Sequence, residues 1–287
     1  MKKQEYIDLG VSQGLMVAQI ESILCQILQV SREEFFRMTD ISSSYIYAVQ
    51  QKFFDIKNGV PEEYAIWKAN FYGRDFFVDQ RVLIPRNDTE VLVGIMLDEI
   101  NQNIDVSNTV YVDVWTWSWC IPISIVEEIY PLKFYAQYAL DISPEALEVA
   151  KMNAKELTSI PIDFRESNLL EGLAHEDTLS GKNLCITANL PYIKNGDTKN
   201  MDASVVHHEP DSALYWWAET GFELYKELIK QCFGLKKILE LWDIVLAIEI
   251  WFDQWDVSRE YLTELWLTFE YFQDSASIER VILIRGF

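Results

Sequence analysis

The sequence predicts an α/β fold: a mostly parallel sheet covered by helices on both faces, ended by an antiparallel hairpin and preceded by a small helical domain. Three observations predict it. Strand-like apolar runs alternate with helical stretches after residue 90. The last two runs, 267–273 and 279–285, are joined only by Gln273 to Ser277, too short for anything but an antiparallel turn. Residues 1–72, by contrast, repeat their apolar positions with helical spacing.

Taken in order, residues 13–29 place Leu15, Met16, Ile20, Ile23, Leu24, Ile27 and Leu28 on one helical face. Ser31 with Glu34 forms the sequence pattern of a capping box for a short second helix. Ser44 to Ile56 reads as a third helix, closed by Asn58-Gly59. Residues 73–90 read as a hairpin linker, with strands at Phe76-Phe77-Val78 and Arg81-Val82-Leu83-Ile84. Asp88 or Thr89 caps a helix that runs through Ile100. The domain over 91–287 has expected strands at 109–114, 134–140, 162–166, 183–188, 244–250, 267–273 and 279–285, and helices at 119–129, 144–157, 219–232 and 254–265. In such sheets ligands sit beyond the carboxyl ends of the strands, near the switch in strand order.

Composition narrows the function. The 287 residues are 49% hydrophobic and carry a formal net charge of −21. Residues 1–75 hold eight Lys/Arg and ten Asp/Glu, so nearly all of the excess lies beyond them. An acidic surface repels phosphate backbones, which argues against a general nucleic-acid binder and leaves room for a protein partner with a basic face. Cys25, Cys120, Cys185 and Cys232 form no CxxC pair, and with His175, His207 and His208 they complete no zinc pattern. Reduced thiols in a cytoplasmic protein are expected. Neither a leader nor an apolar run of about 18 residues is present, so no membrane span is expected.

Three stretches can carry chemistry. Tyr111-Val112-Asp113-Val114-Trp115-Thr116-Trp117-Ser118-Trp119-Cys120 lies where the first strand of the alternating region turns into its helix. A nucleotide-binding turn there normally needs glycine, and tryptophan stands at three alternate positions instead. Asp141 ends the next strand, where a carboxylate either accepts both ribose hydroxyls of an adenosyl cofactor or opens the cap of the helix at Ser143-Pro144. Asn189-Leu190-Pro191-Tyr192 follows the strand 183–188. The Asn189 side-chain oxygen and the Leu190 carbonyl can hold the two hydrogens of a planar amino group, Pro191 stiffens the turn, and Tyr192 can lie on the flat face of a substrate. The same four residues also suit an ordinary strand-to-loop turn.

Together these stretches resemble the HemK/PrmC family, which methylates a glutamine side-chain amide in peptide chain release factors. Arg81-Val82-Leu83-Ile84-Pro85-Arg86-Asn87-Asp88-Thr89-Glu90 is similar to the family's LIPRPxTE segment, and Asp141-Ile142-Ser143-Pro144-Glu145-Ala146-Leu147 to its ribose-binding strand end. Asn189-Leu190-Pro191-Tyr192-Ile193 resembles its NPPY signature. Glu209-Pro210 with Ala213-Leu214-Tyr215 resembles its EP…AL segment, and Glu249-Ile250 with Asp253-Gln254 its EIGxDQ segment. The likeness covers residues 12–287.

The resemblance implies a Rossmann-like class I methyltransferase domain, S-adenosylmethionine as cofactor, a release factor as partner, and a release-factor-binding role for residues 1–72. It implies that Asp113 and the turn Trp115, Thr116, Trp117, Ser118 and Trp119 line the methionine side of the cofactor, that Asp141 holds the ribose, and that Asn168 and Leu169 flank the adenine. Asn168 stands where the family usually has Asp. Asn189, with the Leu190 carbonyl, clamps the glutamine amide, with Pro191 and Tyr192 completing the turn. Leu190 replaces the family's first proline, which costs loop stiffness and brings the motif nearer to the NLPY of rRNA adenine dimethyltransferases. An adenine amino-group methyltransferase on rRNA or DNA, and a catalytically dead binding protein on the same fold, are the alternatives.

The ten tryptophans are the main departure. Trp115, Trp117 and Trp119 stand at the three glycines of the cofactor loop, Trp251 at the glycine of EIG, and Trp216 and Trp217 at a glycine pair after AL. Trp67, Trp242, Trp255 and Trp266 also fall where the family favours glycine. Chance substitution scatters over residue types, whereas this pattern converts one type into one other. It suggests codons read as tryptophan that the cell reads as glycine; deliberate engineering or a true pseudoenzyme would also produce it. The chain as written is expected to fold poorly and not to bind the cofactor.

Overall fold

The computed structural model describes residues 1–192, 208–210 and 220–287. The chain begins with five helices, α1 (Lys3–Ser12), α2 (Val17–Leu28), α3 (Arg32–Arg37), α4 (Ile46–Lys57) and α5 (Glu62–Ile66). Tyr6, Ile20, Ile23, Leu24, Val49 and Phe53 form the centre of their own apolar cluster. The sequence predicts one helix over 13–29 and nothing before it. The structure instead has α1, then a break at Gly14 with φ +92°, then α2. Only Tyr6 and Gly10 of α1 are buried, so its apolar stripe is too thin for periodicity to reveal. The capping box of α3 is formed as expected: Glu34 N donates to Ser31 Oγ at 3.2 Å, and Ser31 N to Glu34 Oε2 at 2.8 Å.

The expected strands at 76–78 and 81–84 are not formed. The hairpin lies earlier, between β1 (Ala69–Phe71) and β2 (Arg74–Phe76). Val78, Val82 and Ile84 are buried all the same. Their apolar run anchors an irregular segment to the core rather than pairing, because Asp79 folds the chain on itself: Arg81 N donates to Asp79 Oδ1 at 3.0 Å and Val82 N to Asp79 O at 3.1 Å. Helix α6 (Glu90–Asn103) follows a short 3-10 turn at Asn87–Thr89, without the side-chain cap expected from Asp88 or Thr89.

The rest is the predicted layered sheet. Its strands are β3 (Thr109–Val114), β4 (Ala136–Asp141), β5 (Asp163–Glu166), β6 (Asn183–Ala188), β7 (Ile244–Glu249), β8 (Thr268–Gln273) and β9 (Glu279–Arg285), in the order β5-β4-β3-β6-β7-β9-β8. The first five positions in that order are parallel, and β9 runs antiparallel to both β7 and β8. Helices α7 (Cys120–Glu128), α8 (Pro144–Leu157), α9 (Glu223–Ile238) and α10 (Trp255–Glu264) flank these strands. Helix α9 replaces the helix expected over 219–232; residue 219 lies outside the described residues.

Strand β3 shows why the central strands read as unbroken apolar runs. Val110, Val112 and Val114 enter one buried cluster and Tyr111 the other, on opposite faces of the sheet. Strand order reverses between β3 and β6, and the register sets Val114 beside Leu140 on one side and Ala188 on the other. The carboxyl ends of β3, β4 and β6 therefore open onto one crevice. The hairpin edge is held by charge: Arg280 grips Asp274 at 3.0 and 3.1 Å, and Arg285 grips Glu99 at 2.6 and 2.9 Å. No helix of the described residues is long and apolar enough to cross a membrane.

Candidate active site

Strand β6 ends at Ala188 and delivers Asn189-Leu190-Pro191-Tyr192 to the crevice; Asn189 and Leu190 are buried. The Asn189 amide nitrogen donates to Thr89 Oγ1 at 3.4 Å. That commitment leaves its Oδ1 as the group free to accept from a ligand. Leu190 N donates to the Tyr225 hydroxyl at 3.1 Å, and that hydroxyl donates in turn to the Glu249 carbonyl. The leucine that stands in place of proline is thus itself anchored. It brings a backbone N–H that proline lacks, and α9 supplies its acceptor. The Tyr192 hydroxyl donates to Glu249 Oε1 at 3.1 Å, and its ring stacks on Trp251 with centroids 5.5 Å apart. Burial pushes the Glu249 carboxyl up, opposed by the Thr89 hydroxyl, Arg280 and Tyr192. Its Oε2 has no hydrogen-bond partner among the described residues.

On the other side of the crevice, Asp113 is fully buried in β3. It accepts from Thr187 Oγ1 at 2.5 Å and from the Thr116 hydroxyl, and burial still pushes it up to about 7. Asp141 ends β4. Its Oδ2 accepts from Trp117 N at 3.0 Å and its Oδ1 from Ser143 N at 2.9 Å, while Ser143 itself caps α8 by accepting from Ala146 N at 3.1 Å. The helix-opening geometry that the sequence allows for Asp141 is thus present. Burial pushes Asp141 up to about 6 against these backbone donors. Leu169 is buried with φ +54°, whereas Asn168 is exposed and turns its amide to Glu171 at 3.0 Å.

Trp117 joins the two sides. Its backbone N–H reaches Asp141, and its indole Nε1 donates to the Asn189 carbonyl at 3.2 Å. The turn 115–119, Asp141 and Asn189 therefore share one end of the sheet. The same contact shows what the turn has become. Trp115, Trp117 and Trp119 are at most 5% exposed, with φ of 65°, 48° and 71°. Trp117 spans the interval between Asp141 and Asn189, the expected place of a cofactor's nucleoside, with its backbone N–H on the first and its indole on the second. Trp119 packs on Phe164 with ring centroids 4.8 Å apart and planes tilted by 56°, and its buried Nε1 has no hydrogen-bond partner among the described residues. Thr116 and Ser118 are buried as well. As written, the residues present do not fit an adenosyl cofactor.

Three residues that brace the site, Thr89, Glu249 and Tyr225, were given no part in it by the sequence. Thr89 and Glu249 lie within segments that the resemblance picked out, but nothing in their spacing shows that they meet Asn189 and Tyr192. Tyr225 gives no local signal, being one apolar position among several on an amphipathic helix. Arg86 and Glu209, 123 residues apart, form an ion pair at 2.5 Å, with the Glu209 side chain fully buried. Ile193, His207, Ala213, Leu214, Tyr215, Trp216 and Trp217 lie outside the described residues.

Comparison with known proteins bears on the family. The chain is 32% identical over 214 residues to the release factor glutamine methyltransferase of Bacillus cereus, spanning 74% of this chain and 72% of that one. It is 36% identical over 204 residues to the Enterococcus faecalis protein of the same name (71% and 67%), and 30% identical over 233 residues to that of Koribacter versatilis (79% and 75%). No family model matches. Among solved structures, the catalytic domain of human Mettl16 in complex with an RNA hairpin superimposes with a TM-score of 0.50 at 15% identity, covering 86% of this chain and 94% of that domain, which is a likeness of fold. With a Rossmann-like class I methyltransferase sheet and an Asn-Leu-Pro-Tyr turn at its switch point, the chain belongs to the release factor glutamine methyltransferase family, the HemK/PrmC family.

Proposed function

We propose that this protein, with small residues at positions 115, 117 and 119, methylates the side-chain amide of a glutamine in a peptide chain release factor. The observation that carries the reading is the meeting of Asp141, the 115–119 turn and Asn189 at one end of the sheet through Trp117. S-adenosylmethionine is the donor that the family implies. The turn as written fills the donor's place, which leaves the amide side as the part of the crevice whose groups can act.

An amide nitrogen is a poor nucleophile because its lone pair is shared with the carbonyl. Asn189 Oδ1 and the Leu190 carbonyl would accept its two hydrogens, hold its plane and stabilise the positive charge that grows on its N–H groups. Both acceptors are held in advance: Thr89 fixes which end of the Asn189 amide faces the crevice, and Tyr225 fixes the Leu190 backbone. Positioning of this kind supplies much of the acceleration in a reaction between two bound groups. No side chain is assigned as a base, and the proton leaves to water. Residues 1–72 would bind the release factor. The charge of −21 favours a basic protein over RNA.

The test compares two full-length chains, one as written and one carrying Trp115→Gly, Trp117→Gly and Trp119→Gly, each incubated with labelled S-adenosylmethionine and either a release factor or rRNA. The glycine chain is expected to label the release factor at glutamine, and the written chain to label nothing. Label on RNA alone would replace this reading with adenine methylation. Release-factor capture without any methyl transfer by the glycine chain would leave a binding protein.

A further inference from the structure

Ten non-glycine positions among the described residues have φ in the left-handed region, and five of them are tryptophan: Trp67 (57°), Trp115 (65°), Trp117 (48°), Trp119 (71°) and Trp266 (58°). A side chain there crowds its Cβ against the backbone carbonyl, from which glycine alone is exempt. Asn and Asp tolerate the region best among the rest, yet none of the ten is Asn or Asp.

The five fall in two unrelated settings. Trp266 follows α10, where its N–H bonds Thr263 O at 3.1 Å and Leu267 N bonds Leu262 O at 3.2 Å. Those paired bonds form the helix-ending motif whose left-handed residue is usually glycine. Trp67 ends α5 in the same conformation, with its own N–H and that of Lys68 both directed at Glu63 O. Trp266 is 92% exposed and Trp67 53%, so neither ring fills a core; Trp67 has the ammonium of Lys52 over its face, at 4.0 Å. Trp115, Trp117 and Trp119 sit in a buried strand-to-helix turn instead. Loss of a cofactor explains bulky rings in the turn but not at two helix ends. A demand of the backbone for glycine explains both.

We infer that the working protein carries glycine at positions 67, 115, 117, 119 and 266, and that the tryptophans are a reading of codons the cell decodes as glycine. UGA is such a codon, a stop in most genomes and an amino acid in some. The inference stands on backbone conformation and does not depend on what the enzyme methylates.

The gene and the native protein decide it. UGA at these five codons, with glycine in the corresponding peptides by mass spectrometry, is expected; UGG at any of the five, or tryptophan in the peptides, overturns it. A second measurement needs no native source. In the full chain, Trp67→Gly and Trp266→Gly are each expected to raise Tm by roughly 2–4 °C by relieving strain. Trp242→Gly, exposed and not left-handed, is expected to lower it. If the written chain does not fold, the same substitutions are made in the chain with glycine at 115, 117 and 119. Equal shifts at all three positions overturn the demand for glycine, and every outcome can be read without methyl-transfer activity.

Discussion

The two sides of the crevice handle departures from the family pattern in opposite ways. On the amide side, leucine replaces a proline and the structure absorbs it: the new N–H finds the Tyr225 hydroxyl, and the turn stays anchored to β7. On the proposed cofactor side, tryptophan stands at the family's three glycines, and the rings find contacts while the backbone strain stays. The backbone keeps conformations suited to glycine while the rings fill the crevice. A substitution that leaves the backbone in common φ/ψ space costs only what its new groups lack in partners. One that puts a Cβ in left-handed space costs about 1–2 kcal/mol per residue before any contact is counted.

That contrast can be broken experimentally. The largest effect is expected from Asn189→Ala in the chain with glycine at 115, 117 and 119. Loss of a preorganised acceptor should lower kcat by about 10²–10³-fold while cofactor affinity by calorimetry stays unchanged; an equal loss in both would place Asn189 on the cofactor side. Next comes Tyr225→Phe, which strands the buried Leu190 N–H. It should cost about 1–3 kcal/mol in urea unfolding, and a neutral result would mean that the leucine is not anchored as described. Thr89→Val removes the acceptor that orients Asn189 and should lower kcat about tenfold, the equivalent of one hydrogen bond of ~1.4 kcal/mol. Thr89→Ser should restore the rate; if serine and valine are equally impaired, the hydroxyl is not what orients the amide.

The smallest effect is one of pH. Asp113 and Asp141 hold their protons in the folded chain up to about 7 and about 6, above the ordinary carboxylate range. A raised folded value means that their contribution is complete in acid, below the unfolded value near 4, and is lost as pH rises through 6 and 7. The urea midpoint should therefore fall between pH 4 and 7, and Asp113→Asn should flatten that fall. An unchanged slope would show that Asp113 is ionised in the fold.

Much of this was legible in the chain itself. Strands β3, β6 and β9 and helix α8 coincide with their expected ranges, because strands buried on both faces and a helix capped by Ser143-Pro144 carry their own signals. The crevice was legible too, since ligand sites in such sheets lie at strand ends. Helix α1 and the hairpin β1–β2 were not, because a thin apolar stripe and an apolar run that anchors without pairing give periodicity nothing to detect.

By itself, then, the sequence determined the order of strands and helices in the layered sheet from residue 109 on, the acidic charge and the placement of Asn189 and Asp141 at strand ends, readable from composition and from local patterns of period, cap and turn. Only the tertiary structure decided that Thr89, Tyr225 and Glu249 brace the Asn189 turn, that Trp117 bridges the crevice, and that five tryptophans occupy backbone made for glycine. Those facts depend on groups brought together from distant stretches and on dihedral angles, neither of which a residue's neighbours in the chain can specify.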